Sequence, residues 1–301
     1  MLGDRTLGAA EKMAKRKPVG TTQEAAKQTG PLRRNQAGKA KVEETGGVEK
    51  LGIPPDADRD LEPAEWVRKK LKFAPDAIQA RLLGLISKRV VLNCTRQWGK
   101  STVTAAKAIH EASVRDGSLT LVVSPSARQS GEFIRKASEF TRRLGHKVRG
   151  DGDNEMSILL PNQSRVVGLP GSEATIRGFS AVSLLLVDEA SRVEDELYLA
   201  IRPMLAASNG ALWLMSTPFG KRGFFYEAWD RGGAAWERVE VTAEKCPRIS
   251  EEHLKEERRT MGERWFRQEY LCEFVDSVSG VFDRDVVEAA IREDVKPLDI
   301  P

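Results

Sequence analysis

The chain has 301 residues, 40% apolar and 31% charged, with a net charge of +4. That is enough for one large domain or two modest ones with a proper core, and the slight positive charge permits a nucleic-acid partner without demanding one. Cys94, Cys246 and Cys272 lie far apart and form no Cys-x-x-Cys pair, which excludes a disulfide framework and a cysteine zinc site; reduced thiols are expected. The longest apolar run, 181–187, is broken by Ser183 and is too short to span a bilayer, and no apolar stretch follows the N-terminal charges as a secretory signal requires. A cytoplasmic protein with no membrane partner is expected.

Residues 1–60 stand apart. Up to Lys41 there are ten Lys/Arg against three Asp/Glu, with few large apolar side chains between them. Such a segment buries too little apolar surface to offset its ordering entropy, so it reads as a basic, disordered arm, either touching phosphates or simply solvated. Globular patterning begins at Leu61. Pro63-Ala64-Glu65-Trp66-Val67 opens one helix, and a second runs from Asp76 to Ile86. Strand and helix then alternate: strand Arg89–Asn93, helix Ser101–Val114, strand Leu119–Ser124, helix Arg128–Leu144. Met156–Leu160 and Arg165–Leu169 read as a strand pair around the Pro161-Asn162-Gln163 turn. Strand Val182–Val187, helix Glu194–Leu205 and strand Ala211–Met215 follow. Continuous apolar strands between helices predict an α/β domain over 61–219 whose mostly parallel sheet is covered by helices on both faces. Beyond Pro218 come an aromatic helix, a strand Trp236–Val241, and charged helices at Ser250–Met261 and Glu263–Glu273, read as a small lid or linker subdomain over 220–276. Residues 277–301 read as a linker.

The chemistry sits at two strand ends. Strand Val90-Val91-Leu92-Asn93 runs into Cys94-Thr95-Arg96-Gln97-Trp98-Gly99-Lys100-Ser101 and then a helix. This is close to the phosphate-binding pattern G-x-x-x-x-G-K-[ST], with Cys94 in place of the first glycine. Gly99 lets the backbone curl so that N–H groups and the helix N-terminus face an anion. Lys100 is placed to reach the β- and γ-phosphates of ATP, and the Ser101 hydroxyl to ligate Mg²⁺. The tripeptide Gly-Lys-Ser alone is common, but a strand before it and a helix after it are not chance company. Further along, Leu184-Leu185-Leu186-Val187-Asp188-Glu189 is an apolar strand ending in two acids, where the ligand crevice of a doubly wound sheet lies. Asp188 is expected to hold the Mg²⁺ through water, and Glu189 to serve as the base for the attacking water. A complete strand–helix unit between the two motifs, and a glutamate directly after the aspartate, indicate a P-loop NTPase of the ASCE/RecA-like branch and not a GTPase switch.

Taken together, these residues resemble the large terminase subunit of tailed bacteriophages, over roughly 61–285. Thr95-Arg96-Gln97-Trp98-Gly99-Lys100-Ser101 is similar to that family's variant phosphate loop, and Val187-Asp188-Glu189-Ala190 to its acidic strand end. Ser216-Thr217-Pro218 matches its coupling motif. Phe73-Ala74-Pro75-Asp76-Ala77-Ile78-Gln79 resembles its adenine-contacting stretch, with Gln79 as base reader. Gln268-Glu269-Tyr270-Leu271-Cys272-Glu273-Phe274 resembles the element that closes its ATPase region. The resemblance implies that Arg96 acts as a sensor or finger in cis and that Arg177, in Ala174-Thr175-Ile176-Arg177-Gly178, is offered to a neighbour's ATP. Such a guanidinium is worth about 10³- to 10⁵-fold in rate.

What the resemblance implies overall is an ATP- and Mg²⁺-dependent motor that moves double-stranded DNA into a procapsid in the host cytoplasm. It further implies a homo-oligomeric ring docked on a portal protein, with a small terminase subunit delivering DNA. The RNase H-like nuclease domain usual in that family has no counterpart before Pro301, so no nuclease activity is expected of these residues. Two rivals are a helicase-like remodelling ATPase, which would need a second RecA-like domain, and an inactive prophage remnant acting as an interaction module. His110, His146 and His253 show no metal spacing. Phe224, Phe225, Tyr226 and Trp229 read as core packing. Lys245, Lys255, Arg258 and Arg259 read equally as a DNA face or a solvated one.

Overall fold

The computed structural model describes residues 60–152, 156–171 and 178–275. The expected arm 1–60, but for Asp60, the linker 277–301 and Arg177 lie outside the described residues. Two short helices, α1 (Pro63–Lys70) and α2 (Ala77–Leu83), lead into β1 (Arg89–Cys94) and α3 (Lys100–Val114). Then come β2 (Leu119–Ser124), α4 (Ala127–Arg143), β3 (Ser157–Leu159) and β4 (Arg165–Pro170). After these follow β5 (Leu184–Asp188), α5 (Asp195–Ile201), β6 (Ala211–Ser216) and α6 (Gly223–Asp230). The described chain closes with β7 (Glu237–Val241), α7 (Glu251–Met261) and α8 (Glu263–Glu269).

The strands form one seven-stranded sheet in the order β3-β4-β2-β5-β6-β1-β7, parallel throughout except for the β3–β4 pair. Period-two alternation splits each central strand between two cores. Val90, Leu92, Leu184, Leu186, Trp213 and Met215 pack under α1, α2, α3 and α4. Val91, Leu185, Val187, Leu212 and Leu214 pack with Leu197, Ile201 and Phe225 from α5 and α6. Because both faces are covered, these strands read as unbroken apolar runs. Phe224 and Phe225 are buried, as their spacing predicts, and Phe224 stacks on Tyr198 with ring centroids 3.9 Å apart.

Several helix ends differ from the expectation. The helix expected to reach Ile86 stops at Leu83: a capping box between Asp76 and Gln79 starts it, and Ile86 is 97% exposed, so no core face carries it further. The helix expected over Glu194–Leu205 is α-helical only to Ile201 and tightens to a 3₁₀ turn over Arg202–Leu205. Pro203 has no N–H to continue the ladder. The last helix ends at Glu269, not Glu273, because tertiary bonds capture the backbone beyond it. Asn93 Nδ2 donates to the Cys272 carbonyl at 2.8 Å, and Ala243 N to that of Tyr270 at 2.7 Å. Strand β7, within the segment 220–276, joins the main sheet as an edge strand parallel to β1, with Cys94 opposite Val241. Among the described residues that follow β7, α7 and α8 are the α-helices, and α7 buries no residue. On α7, Arg258 pairs with Glu263 at 2.6 Å and Lys255 approaches Glu251 at 3.9 Å.

Candidate nucleotide site

Topology decides where the chemistry gathers. Since β1, β5, β6 and β7 run parallel, their C-terminal ends share one rim: Asn93 lies opposite Ser216, and Asp188 opposite Met215. Strand β6 separates β1 from β5, so the loop after β1 and the acids after β5 face each other across it.

The loop after β1 is held at several points. Thr95 is fully buried; its N–H donates to the Val241 carbonyl at 2.8 Å and its hydroxyl to the Glu269 carbonyl at 3.0 Å. Gln97 has φ 60° and Gly99 φ 94°, the left-handed bends that turn the chain into the N-terminus of α3. The Trp98 indole is fully buried in the core, which leaves only its backbone to face a ligand. Its carbonyl accepts from Gln79 Nε2 at 3.1 Å and from Arg248 Nη2, which also pairs with Asp76 at 3.1 Å. The Gln79 amide oxygen accepts from Asp76 N at 3.1 Å. Gln79 is thus a buried brace between α2 and the loop, and Arg248 is a second brace that sequence reading missed.

The two motifs meet. Lys100 Nζ lies 2.8 Å from Glu189 Oε1, and Ser101 Oγ donates to Asp188 Oδ2 at 3.0 Å. Glu189 adopts φ 52°, a strained left-handed conformation that swings its carboxylate back over the rim. Ser216 Oγ donates to Glu189 Oε2 at 3.3 Å and lies 2.8 Å from Ser191 Oγ, while Thr217 and Pro218 are buried just beyond. Burial works against the Lys100 ammonium, yet Glu189 and Asp188 outweigh it and hold the lysine above its ordinary range. Burial raises the Asp188 carboxyl, with Lys100 and the Ser101 hydroxyl opposing. Burial also pushes the Cys94 thiol well up, so it stays protonated and inert. All three cysteines are free and buried.

Ser101 Oγ and Asp188 Oδ2 are hard oxygen donors, the type Mg²⁺ prefers. They lie together on the rim, joined by a 3.0 Å hydrogen bond. The residues fit that ion. Among the described residues there is no cluster of three or more His, Cys, Asp or Glu that could hold a metal on its own, and no helix long and apolar enough to cross a membrane.

Arg96 does not join the lysine–glutamate pair. Its Nε lies 2.6 Å from Glu269 Oε2 on α8. Glu269 and Arg192, the latter 4.0 Å away, were not singled out as site residues by sequence reading. Glu269 lies inside the Gln-Glu-Tyr segment, whereas nothing in the sequence marks Arg192 or Arg248.

The chain is 25% identical over 259 residues to the large terminase subunit of Thermus virus P23-45, covering 74% of this chain and 53% of that one. It thus spans about half the length of this curated relative. The large terminase ATPase domain of Thermus phage P74-26 superposes with a TM-score of 0.64 at 24% identity, covering 71% of this chain and 100% of that domain. The large terminase of another thermophilic bacteriophage, solved in complex with ADP, superposes with a TM-score of 0.55 at 13% identity, covering 75% of this chain and 56% of that one. These likenesses establish the fold as that of P-loop ATPase domains of large terminases. The family model described as terminase large subunit, T4likevirus-type, N-terminal, matches residues 91–288, and the chain belongs to that family.

Proposed function

We propose that this chain is the ATP-hydrolysing motor portion of a large terminase, which drives double-stranded viral DNA into a procapsid. The observation that carries this reading is the meeting of Lys100 with Glu189 at 2.8 Å and of Ser101 with Asp188 at 3.0 Å on one rim of the sheet. Family membership and the ADP-bound relative support it.

In this reading the loop from Thr95 to Ser101 cradles the phosphates with its backbone N–H groups, and Lys100 takes the β- and γ-phosphates. Ser101 directly and Asp188 through water would hold Mg²⁺, which would supply neutralising charge to the phosphate oxygens. An arriving polyphosphate replaces Glu189 as the counter-charge of Lys100. The freed carboxylate then accepts a proton from the attacking water. Gln79, expected to read the base, contributes instead by bracing the loop: its amide is buried, with Nε2 on the Trp98 carbonyl and Oε1 on Asp76 N. Arg96 stabilises the γ-phosphate in cis, while Arg177 serves a neighbouring subunit's ATP, which requires a homo-oligomeric ring. Loss of the γ-phosphate is passed to Ser216-Thr217-Pro218 through the hydrogen bond from Ser216 to Glu189. The partners are duplex DNA held by its phosphates without regard to sequence, a small terminase subunit and a portal protein, in the host cytoplasm.

Phosphate release measured with and without double-stranded DNA, beside Glu189→Gln, tests the proposal. DNA-stimulated turnover that falls by about 10²- to 10⁴-fold in the variant, with nucleotide still bound, is the expected result. Turnover indifferent to both DNA and the substitution sinks the motor reading. Strand separation on a forked duplex moves the assignment to a helicase.

A further inference from the structure

We propose that Ser124, at the end of β2, is a positioning residue for the Mg²⁺ of the nucleotide site: its hydroxyl takes a hydrogen bond from a water of the ion's hydration shell, beside the Asp188 carboxylate. The proposal rests on the ATPase reading above and extends the surroundings of the ion to a strand that carries neither motif.

Strand β2 adjoins β5 on the side away from β6. The two run parallel with Val123 opposite Val187, so one step further on Ser124 comes level with Asp188. Neighbouring strands lie about 4.8 Å apart. The two side chains also share a face of the sheet. Val122 and Leu186 point into the core under α3 and α4, and Val123 and Val187 into the opposite one. Alternation therefore returns both Ser124 and Asp188 to the α3 face. Ser101, in the first turn of α3, donates to Asp188 Oδ2 at 3.0 Å from that side.

The Ser124 hydroxyl is fully buried and has no hydrogen-bond partner among the described residues. A buried hydroxyl left unpaired is costly, and the loss is recovered when a donor reaches it. The hydration shell of Mg²⁺ is shed reluctantly, so several waters stay with the ion and each has O–H groups to place. Asp188 accepts from one such water, and Ser124 stands alongside to accept from another. Outer partners of this kind fix the orientation of what the metal holds, and losing one weakens metal binding about 10- to 100-fold. Thr120 is the internal comparison. It lies further back on the same strand and face, opposite Leu184; it too is fully buried, and its Oγ1 too has no partner among the described residues. At about 3.3 Å per residue it is roughly 13 Å from Ser124 along the strand, well away from the rim.

Calorimetric binding of a slowly hydrolysed ATP analogue, with Mg²⁺ and with the metal removed by EDTA, tests this on wild type, Ser124→Ala and Thr120→Val. Ser124→Ala should weaken binding about tenfold in Mg²⁺ and leave it unchanged in EDTA. Thr120→Val removes the other unpartnered hydroxyl at nearly constant shape and should keep both wild-type affinities. Urea unfolding of the proteins free of metal and nucleotide supplies the second readout. Neither hydroxyl gives up a partner among the described residues, so both variants should match or exceed the wild-type midpoint. Unchanged affinity of Ser124→Ala in Mg²⁺, equal weakening with and without the metal, the same loss in Thr120→Val, or a lowered midpoint in Ser124→Ala would each overturn the proposal while leaving the nucleotide site intact. Wild-type protein that binds no analogue in either condition would overturn the ATPase reading as well.

Discussion

Replacing Gly99 by alanine perturbs the phosphate loop in two separable ways. The φ of 94° at Gly99 lies in the region that L-residues avoid, at about 1–2 kcal/mol. The added Cβ would also stand 3.3 Å from Gln79 Nε2, the amide that donates to the Trp98 carbonyl. Shifting that buried donor should cost about another 1 kcal/mol. Gly117 is the matched control: its φ is 65°, and a Cβ there meets nothing within 4 Å. Gly117→Ala should therefore lose about 1 kcal/mol and Gly99→Ala about 2 to 3 kcal/mol of unfolding free energy in urea. Calorimetric ADP binding supplies the second readout. Gly99→Ala should weaken it about tenfold, since the loop N–H groups are re-aimed, while Gly117→Ala leaves it alone. Equal stability losses in the two variants, with ADP affinity untouched in both, would refute the idea that Gly99 and Gln79 set the loop's shape together.

Ser216→Ala removes the hydroxyl that donates to Glu189 at 3.3 Å, so turnover should fall about tenfold at unchanged nucleotide affinity; a loss confined to binding would contradict this. Gln79→Ala and Arg248→Ala each remove one of two donors to the Trp98 carbonyl, and the double variant should lose more nucleotide affinity than the sum of the singles. Strict additivity, by calorimetry, would show that the two braces are independent. His110 is buried against Trp66, and burial, with Lys107 beside it, lowers its ring from 6.5 to about 4. Between those values the unfolded chain binds more protons than the folded one. Stability is therefore full above about pH 6.5 and falls as the pH drops towards 4, by up to about 3 kcal/mol. Urea titrations from pH 7 to 4 should show that extra slope in wild type and not in His110→Leu; parallel curves would dismiss it.

Much of the fold is written locally. A strand buried on both faces is a run such as Leu184-Leu185-Leu186-Val187 whatever lies beside it, and a glycine–lysine–serine turn between strand and helix curls by its own backbone preferences. The order of elements and the identities of Lys100, Ser101, Asp188 and Glu189 were therefore legible along the chain, as was the burial of Phe224 and Phe225. Helix ends were less so. Pro203 did shorten one helix, as its missing N–H dictates, but the end of α8 depends on Asn93 reaching Cys272, 179 positions away in the chain.

What the sequence alone determined is the set of chemical groups and the strand or loop that carries each, because hydrophobic period and turn chemistry act between near neighbours. Only the tertiary structure decided which of them meet. The strand order places β6 between the two motifs, sets β7 beside β1, and brings α8 over the loop so that Glu269 holds Arg96 across 173 positions of chain. It also turns Gln79 and Arg248 onto one carbonyl. An ion pair between distant residues depends on where two backbones end up, and no local preference of either residue encodes that distance.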